Sequence, residues 1–339
     1  MKKSLVALAA LTLVGAASAQ VTITGNISFS QQSGLDGTRG LAMTDNSIFL
    51  GITEDLGGGN KLTASSGFDA GGRGGPTSPG GFGAENANLK VSGNWGSVNI
   101  ASYESDGPLA NIEGLSGASL DNGMFDSNAV GLGKRFRSAV TYATPEMSGF
   151  TGALTYVAMN GNFTSADPMD ARTKVVPALT YQAGPLKAYI EDAFFNGSYP
   201  GTTNGTTNNS ITQPTIYATY DFGVAKVGAG WTKQSNGDAQ TIFGVNVPVG
   251  ALTLGLASAS WMNSAAAGTA TWTEASVAYS LSKRTSLKAS FGTVNDAAVG
   301  YAQATAASQT NATNSYGLQG ANYSTANESQ TRVGIFHSF

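Results

Sequence analysis

The last eleven residues of the chain, 329–339, constrain its fold more than any other stretch. Side chains of two kinds alternate there at period two, which is typical of a β-strand. One face carries Thr331, Val333, Ile335, His337 and Phe339, and the other carries Arg332, Gly334, Phe336 and Ser338. An unpaired strand of this kind would leave an exposed edge that promotes aggregation. We therefore expect it to pair with the first strand, 21–29, and to close a β-barrel. The predicted closure residues are Arg332, Val333, Ile335 and Phe339.

The first residues have the pattern of a secretory signal peptide. Lys2 and Lys3 precede a short apolar run, 5–15, and Ala17-Ser18-Ala19 has the small residues of a cleavage site. We predict a signal peptide over 1–19 and one barrel over 20–339. No later stretch reaches the about 18 apolar residues of a transmembrane helix. The chain has no cysteine, so disulfides cannot close the fold.

The composition favours many strands and turns over helices. The chain contains 45 glycines, and Ser, Thr and Asn are plentiful. Removal of the signal peptide leaves 16 basic and 21 acidic residues without a basic stripe, which argues against a nucleic-acid partner. The mean hydropathy is −0.06. A near-neutral value is compatible with a membrane barrel, because such a barrel carries its apolar residues only at alternate positions.

Sixteen candidate strands can be placed along the mature chain, joined alternately by short turns and long loops. Seven short turns and eight long loops result, and both termini lie at the short-turn end. This asymmetry is typical of outer-membrane barrels, with short periplasmic turns and long external loops. The predicted strands are 21–31, 46–55, 60–68, 84–92, 96–103, 135–143, 150–159, 174–183, 186–195, 213–221, 224–232, 240–249, 252–261, 272–280, 285–293 and 329–339.

Four stretches resemble Gram-negative general diffusion porins of the betaproteobacterial type. They are 54–62 with 66–68, 95–100, 138–145 with 148–150, and 332–339. Their order and spacing span nearly the whole chain. The resemblance implies an all-β, transmembrane antiparallel barrel of about 16 strands, assembled as a homotrimer. It also implies a third loop, about 104–134, folded into the lumen.

The third loop suggests candidate selectivity residues. It holds Glu104, Asp106, Glu113, Asp121 and Asp126, and Lys134 at its end forms a basic cluster with Arg135 and Arg137. We hypothesise that the basic cluster faces the acidic loop and sets up a transverse field in the constriction. The alternative is that these basic residues lie at the loop rim and contact lipopolysaccharide or a neighbouring subunit. Ser47, Gly51, Ser102 and Thr141 stand where the resemblance implies basic wall residues, which puts anion selectivity in doubt.

The sequence predicts an outer-membrane porin for passive diffusion of small hydrophilic solutes and ions. The expected partners are outer-membrane lipid, lipopolysaccharide, the barrel-assembly machinery and further copies of the chain. No cofactor, metal or catalytic residue is predicted, because Cys is absent and His337 is the only histidine. The alternatives are a barrel-anchored adhesive surface protein, a barrel lipase that uses His337, and a secreted soluble β-protein.

Overall fold

The protein is a closed antiparallel barrel of sixteen strands in a computed structural model. The structure describes residues 20–33, 39–70, 82–104, 109–116, 136–158, 173–196, 211–235, 239–262, 269–294 and 328–339. All sixteen predicted strands are confirmed, with ends that differ by up to seven residues, the largest difference being the start of β2. They are β1 (Gln20–Ser33), β2 (Arg39–Gly57), β3 (Asn60–Ala70), β4 (Phe82–Gly93), β5 (Gly96–Glu104), β6 (Phe136–Ala143), β7 (Phe150–Ala158), β8 (Thr173–Ala183), β9 (Leu186–Asn196), β10 (Ile211–Asp221), β11 (Lys226–Lys233), β12 (Ala239–Val249), β13 (Leu252–Met262), β14 (Thr269–Ser280), β15 (Thr285–Val294) and β16 (Glu328–Ser338).

The predicted closure between the two ends of the chain is confirmed. β1 pairs with β16 from Asn26 opposite Ser338 to Ser33 opposite Thr331. The ladder thus begins five residues later in β1 than the sequence suggested. Beyond it, the Gly25 amide donates to the Phe339 carbonyl at 3.1 Å, and the Phe339 amide donates to the Gly25 carbonyl at 2.9 Å. The terminal residue is therefore part of the seam.

The short turns use backbone conformations that favour glycine. The turn between β2 and β3 contains Gly57, Gly58 and Gly59 with φ of 77°, 62° and 79°. After the next hairpin turn, Gly96 has φ of 107°, and a Cβ there would collide with the carbonyl oxygen of Ala143. These glycines keep the turns short at this end of the barrel, as the sequence predicted.

The two faces of the wall differ as a transmembrane barrel requires. Outward positions carry large apolar side chains that remain exposed, including Ile100, Leu254 and Phe291. Aromatic residues near the short-turn end, among them Trp95 and Tyr142, are exposed on the same outer surface. Among the described residues, no helix is long and apolar enough to cross a membrane.

We expect Gly25→Val to weaken closure. A Cβ at Gly25 would meet the Ser47 carbonyl oxygen and the Phe339 ring, and overpacking of this kind costs about 1–3 kcal/mol. The measurement is the urea midpoint of the detergent-folded barrel, followed by the mobility shift of the unheated protein on gels. Gly40→Ala in β2 is the control, because nothing lies within 4 Å of a Cβ built there. Equal midpoints for the two variants would contradict a sealing role for this contact.

Candidate functional site

The described part of the third loop lies inside the barrel against one arc of the wall. It comprises Leu109, a short helix α1 (Ala110–Glu113) and a 3₁₀ turn, Gly114–Ser116. These elements contact β11, β12, β13 and β14. The third loop therefore inserts into the lumen, as the resemblance implied, and it docks on the wall formed by β11–β14.

The apolar side of this segment sits on glycines of the wall. Leu109 and Ile112 are 0% exposed and Leu115 is 8% exposed. A Cβ on Gly228 would lie 2.8 Å from the Cδ1 atoms of both Ile112 and Leu115. The surface formed by Gly228 with Gly230, Gly244 and Gly255, which we call the glycine track, thus lets the loop approach the backbone of the wall.

Each of the four positions in the glycine track is needed for a different contact. A Cβ on Gly230 would lie 2.6 Å from Cδ2 of Leu109, and a Cβ on Gly244 would strike the carbonyl oxygen of Ile112. A Cβ on Gly255 would overlap the carbonyl group of Ser116. Since burying an aliphatic side chain contributes about 1.5–3 kcal/mol, apolar packing on the track is the main attachment of the segment.

Polar contacts fix the position of the segment along the wall. The Asn111 amide donates to the Tyr217 hydroxyl at 3.1 Å. The Asn246 amide donates to the Leu115 carbonyl at 3.3 Å, and the Ser276 hydroxyl donates to the Ser116 carbonyl. The last two bonds satisfy the carbonyl groups of Leu115 and Ser116. Such bonds are needed because carbonyl groups at the end of a helix have no partner within the helix.

A tyrosine pair continues the wall beside the docked loop. Tyr189 and Tyr217 stack with ring centroids 4.9 Å apart, and the Tyr189 hydroxyl donates to Glu191 at 2.6 Å. Lys187, Tyr189 and Glu191 occupy every second position of β9 and share its lumen face. Glu191 thus has a hydrogen bond from a neighbour on its own strand, and Lys187 lies nearer the turn.

At the level of the docked loop, the described residues fill the lumen on one side and leave the other side open. Thr219, Tyr217 and Ala257, on the loop-bearing arc, are buried. On the opposite arc, Asn99 and Thr141 are half-buried and Lys90 is exposed. The space available to water and solutes at this level therefore runs along β3–β7.

The predicted selectivity residues are only partly described. Glu113 lies in the docked segment and is 2% exposed. Glu104 ends β5 opposite Phe136, and Arg137 of β6 pairs with Tyr103. Lys134, Arg135, Asp106, Asp121 and Asp126 lie outside the described residues. The proposed face-to-face arrangement of these residues stays a prediction.

Lys90 was missed by the sequence interpretation, although the alternation in β4 contains the signal. Asn88, Lys90 and Ser92 alternate with Leu89 and Val91. Leu89 is exposed on the apolar outer surface, and the Asn88 amide donates to Ser65 on the inner side at 2.8 Å. Lys90 therefore lies on the lumen face.

One expected wall position was misplaced. Ser102 is exposed on the same face as Ile100, so it faces outward, whereas Ala101 and Tyr103 face the lumen. The implied alignment is thus wrong by one residue there. Ser47, by contrast, is buried on the lumen side, where its hydroxyl donates to Asp45 at 2.7 Å.

The described residues also locate the only histidine. His337 is exposed on the outer face of β16, and its Nδ1 lies 2.9 Å from the Thr285 hydroxyl. Across the described ranges, no group of three or more acidic or histidine side chains could hold a metal ion.

Comparisons with known proteins agree on one class of protein. The family model described as Gram-negative porin matches residues 4–298. An anion-selective porin from Comamonas acidovorans has a similar structure, with a TM-score of 0.69 and 21% identity over 95% of this chain and 100% of that one. OmpT of Vibrio cholerae, in its trimer form, gives 0.62 and 13% over 95% and 99%. No curated protein sequence matches the chain significantly.

We expect the double variant Ile112→Ser, Leu115→Ser to detach the loop from the glycine track. Loss of two buried aliphatic side chains removes about 2–5 kcal/mol each, while the barrel itself should still fold. Single-channel recordings should then show a broad, noisy spread of conductance in place of one level. Leu281→Ser is the control, since Leu281 is exposed in a turn far from the loop. A single sharp level in the double variant would show that the packing does not hold the loop.

Proposed function

Because this chain belongs to the family of Gram-negative porins, we propose that its pore selects solutes between the docked third loop and Lys90 on the facing wall. The protein is an outer-membrane channel through which small hydrophilic solutes and ions diffuse passively. A closed barrel with an apolar exterior satisfies every backbone hydrogen bond within the wall, as the membrane requires. A partly open lumen then leaves the route for solutes.

The position of Lys90 carries this proposal. β4 lies eight strands from β12 around the sixteen-stranded barrel, so it faces the arc that holds the loop. Lys90 is three residues from the short-turn end of β4, and Asn246, which binds the loop, is three residues from that end of β12. The ammonium group and the loop are therefore at about the same height. Lys90 is also exposed, as a residue in contact with lumen water must be.

The acidic residues of the third loop are proposed as the opposing charge. Asp106, Asp121 and Asp126 belong to this loop, and the basic residues Lys134, Arg135 and Arg137 lie at its end in the sequence. Charges of opposite sign across a narrow, low-dielectric passage produce a transverse field that orients and sorts solutes. Glu113 contributes less directly to this transverse field, because it is buried with the docked segment.

Two further parts of the proposal concern assembly and chemistry. We propose a homotrimer, which is supported by the likeness to a porin described in its trimer form. We propose no catalytic activity, since the family comprises channels and His337 lies on the outer face beside Thr285. Contacts with lipopolysaccharide and with the barrel-assembly machinery follow from residence in the outer membrane and are proposed on that basis alone.

Planar-bilayer recording tests the channel and its assembly together. Purified protein should produce stable, discrete current steps at both polarities of voltage, because a water-filled lumen conducts ions in both directions. A trimer of three pores should close at high voltage in three equal increments. A silent protein that is nevertheless folded would favour a barrel-anchored adhesive role, and closure in one increment would contradict the trimer.

Lys90→Gln should shift the selectivity of the channel towards cations. Loss of the positive charge from the open side of the constriction lowers the local concentration of anions. The reversal potential in a tenfold KCl gradient measures this change. Lys233→Gln removes the same charge from the outer face at the end of β11, where Trp231 is also exposed, and should leave the reversal potential unchanged. Equal reversal potentials for Lys90→Gln and the parent protein would remove Lys90 from the constriction.

A further inference from the structure

We infer that the pore is electrically polar along its axis, basic at the periplasmic end and acidic at the extracellular end, and that it therefore conducts unequally in the two directions. This inference concerns the length of the pore rather than its cross-section. It rests on the channel function, and it does not require Lys90 to lie at the constriction.

The periplasmic end of the lumen wall is rich in lysine. Three lysines occupy the first lumen-facing positions beside the short turns: Lys61 in β3, Lys187 in β9 and Lys226 in β11. We call these the rim lysines. They lie on separate parts of the wall, with β3 six strands from β9. Lys90 and Lys288 follow one step further into the lumen, each three residues from a strand end.

The lumen acids at this end only partly balance the lysines. Asp55 stands opposite Lys61, and Asp221 stands opposite Lys226. Both carboxylates also serve their own turns, accepting the amides of Gly57 and Gly223 at 2.8 Å each. Within the described part of the chain, none of the rim lysines forms an ion pair within 4 Å with these acids. Lys288 also interacts electrostatically with Asp45 of β2. Five lysines against these three aspartates leave the lumen wall positive at this end.

The extracellular half of the described lumen wall has no such positive excess. Its acids, Asp69 and Glu274, equal its bases, Lys174 and Arg332, in number. Glu191 lies at the midpoint of β9 and belongs to neither end. The strand residues Glu328 and Arg137 belong to the same half of the wall. Their formal charges are opposite, so together they leave the balance unchanged.

The long connections at the extracellular end give that end its negative charge. Outside the third loop, whose charges are proposed for the constriction, the parts of the chain that join the strands there and lie outside the described residues contain five acidic and two basic residues. Their formal charge follows from the sequence whatever their conformation. The two ends of the chain's path through the membrane thus carry opposite net charge.

The separation between the two zones is large enough for them to act independently. A transmembrane strand spans about 25 Å of membrane, whereas the Debye length is about 10 Å at 0.1 M salt. Cations are therefore enriched at one mouth and anions at the other. One polarity of voltage drives both enriched ions inward and raises the conductance, and the reverse polarity draws both out and lowers it.

Current–voltage curves of single channels test the inference. The measured quantity is the ratio of the larger to the smaller current at equal and opposite voltages, which does not depend on the orientation of insertion. We expect a ratio clearly above one in symmetric 0.1 M KCl. In 1 M KCl the ratio should approach one, because the Debye length falls to about 3 Å. A conducting parent channel with a ratio of one at 0.1 M would overturn the inference.

The triple variant Lys61→Gln, Lys187→Gln, Lys226→Gln identifies the source of the asymmetry. Its excess ratio above one should fall by roughly half or more, since three of five lysines at this end are gone. Lys233→Gln, on the outer face, should keep the parent ratio. If the triple variant fails to fold, the single charge reversal Lys187→Glu should lower the ratio in the same direction. An unchanged ratio in a folded variant would show that the rim lysines do not polarise the pore.

The outcome is separable from the other proposals. If the barrel does not conduct, the channel function fails and no ratio exists. If it conducts and Lys90→Gln leaves the reversal potential unchanged, the constriction proposal fails while the current ratio is still defined. A change in the current ratio with the rim lysines and no change with Lys233 supports axial polarity alone.

Discussion

The barrel depends on the backbone pairing that joins the first strand to the last. Inside a membrane an unpaired amide or carbonyl costs several kcal/mol, so a sheet of sixteen strands is stable there only when it has no edge. The ladder from Asn26–Ser338 to Ser33–Thr331 removes both edges at once. Phe339 extends this seam by one reciprocal pair of hydrogen bonds with Gly25. All lumen positions are defined relative to this closed wall.

Much of the wall could be predicted from the sequence because its causes are local. Alternation of side chains sets the faces of a strand, and the turn glycines set the positions of the hairpins. Closure could be predicted as well, since the last strand had no other way to lose its edge. The predicted strand 96–103, for example, is β5, and Ile100 lies on its exposed outer face.

The site was less predictable because it depends on contacts between distant parts of the chain. Gly228, Gly244 and Gly255 look like ordinary strand glycines until the third loop is placed against them. The identity of the open side, and with it the relevance of Lys90, follows from which arc the loop occupies. The sequence around residue 90 does not indicate which arc of the wall the third loop occupies. The shift at Ser102 shows a related limit, since a one-residue error moves a side chain to the other face of the wall.

The glycine track separates the size limit of the channel from its preference for ions of one charge. The third loop is held by aliphatic side chains and backbone carbonyls rather than by ion pairs. Its placement, and so the largest molecule that can pass, should tolerate wide changes in salinity and acidity. Discrimination by charge rests instead on a few solvated side chains facing the water. Size exclusion and ionic preference can thus drift apart over evolution, because mutations that retune one leave the mechanical support of the other intact.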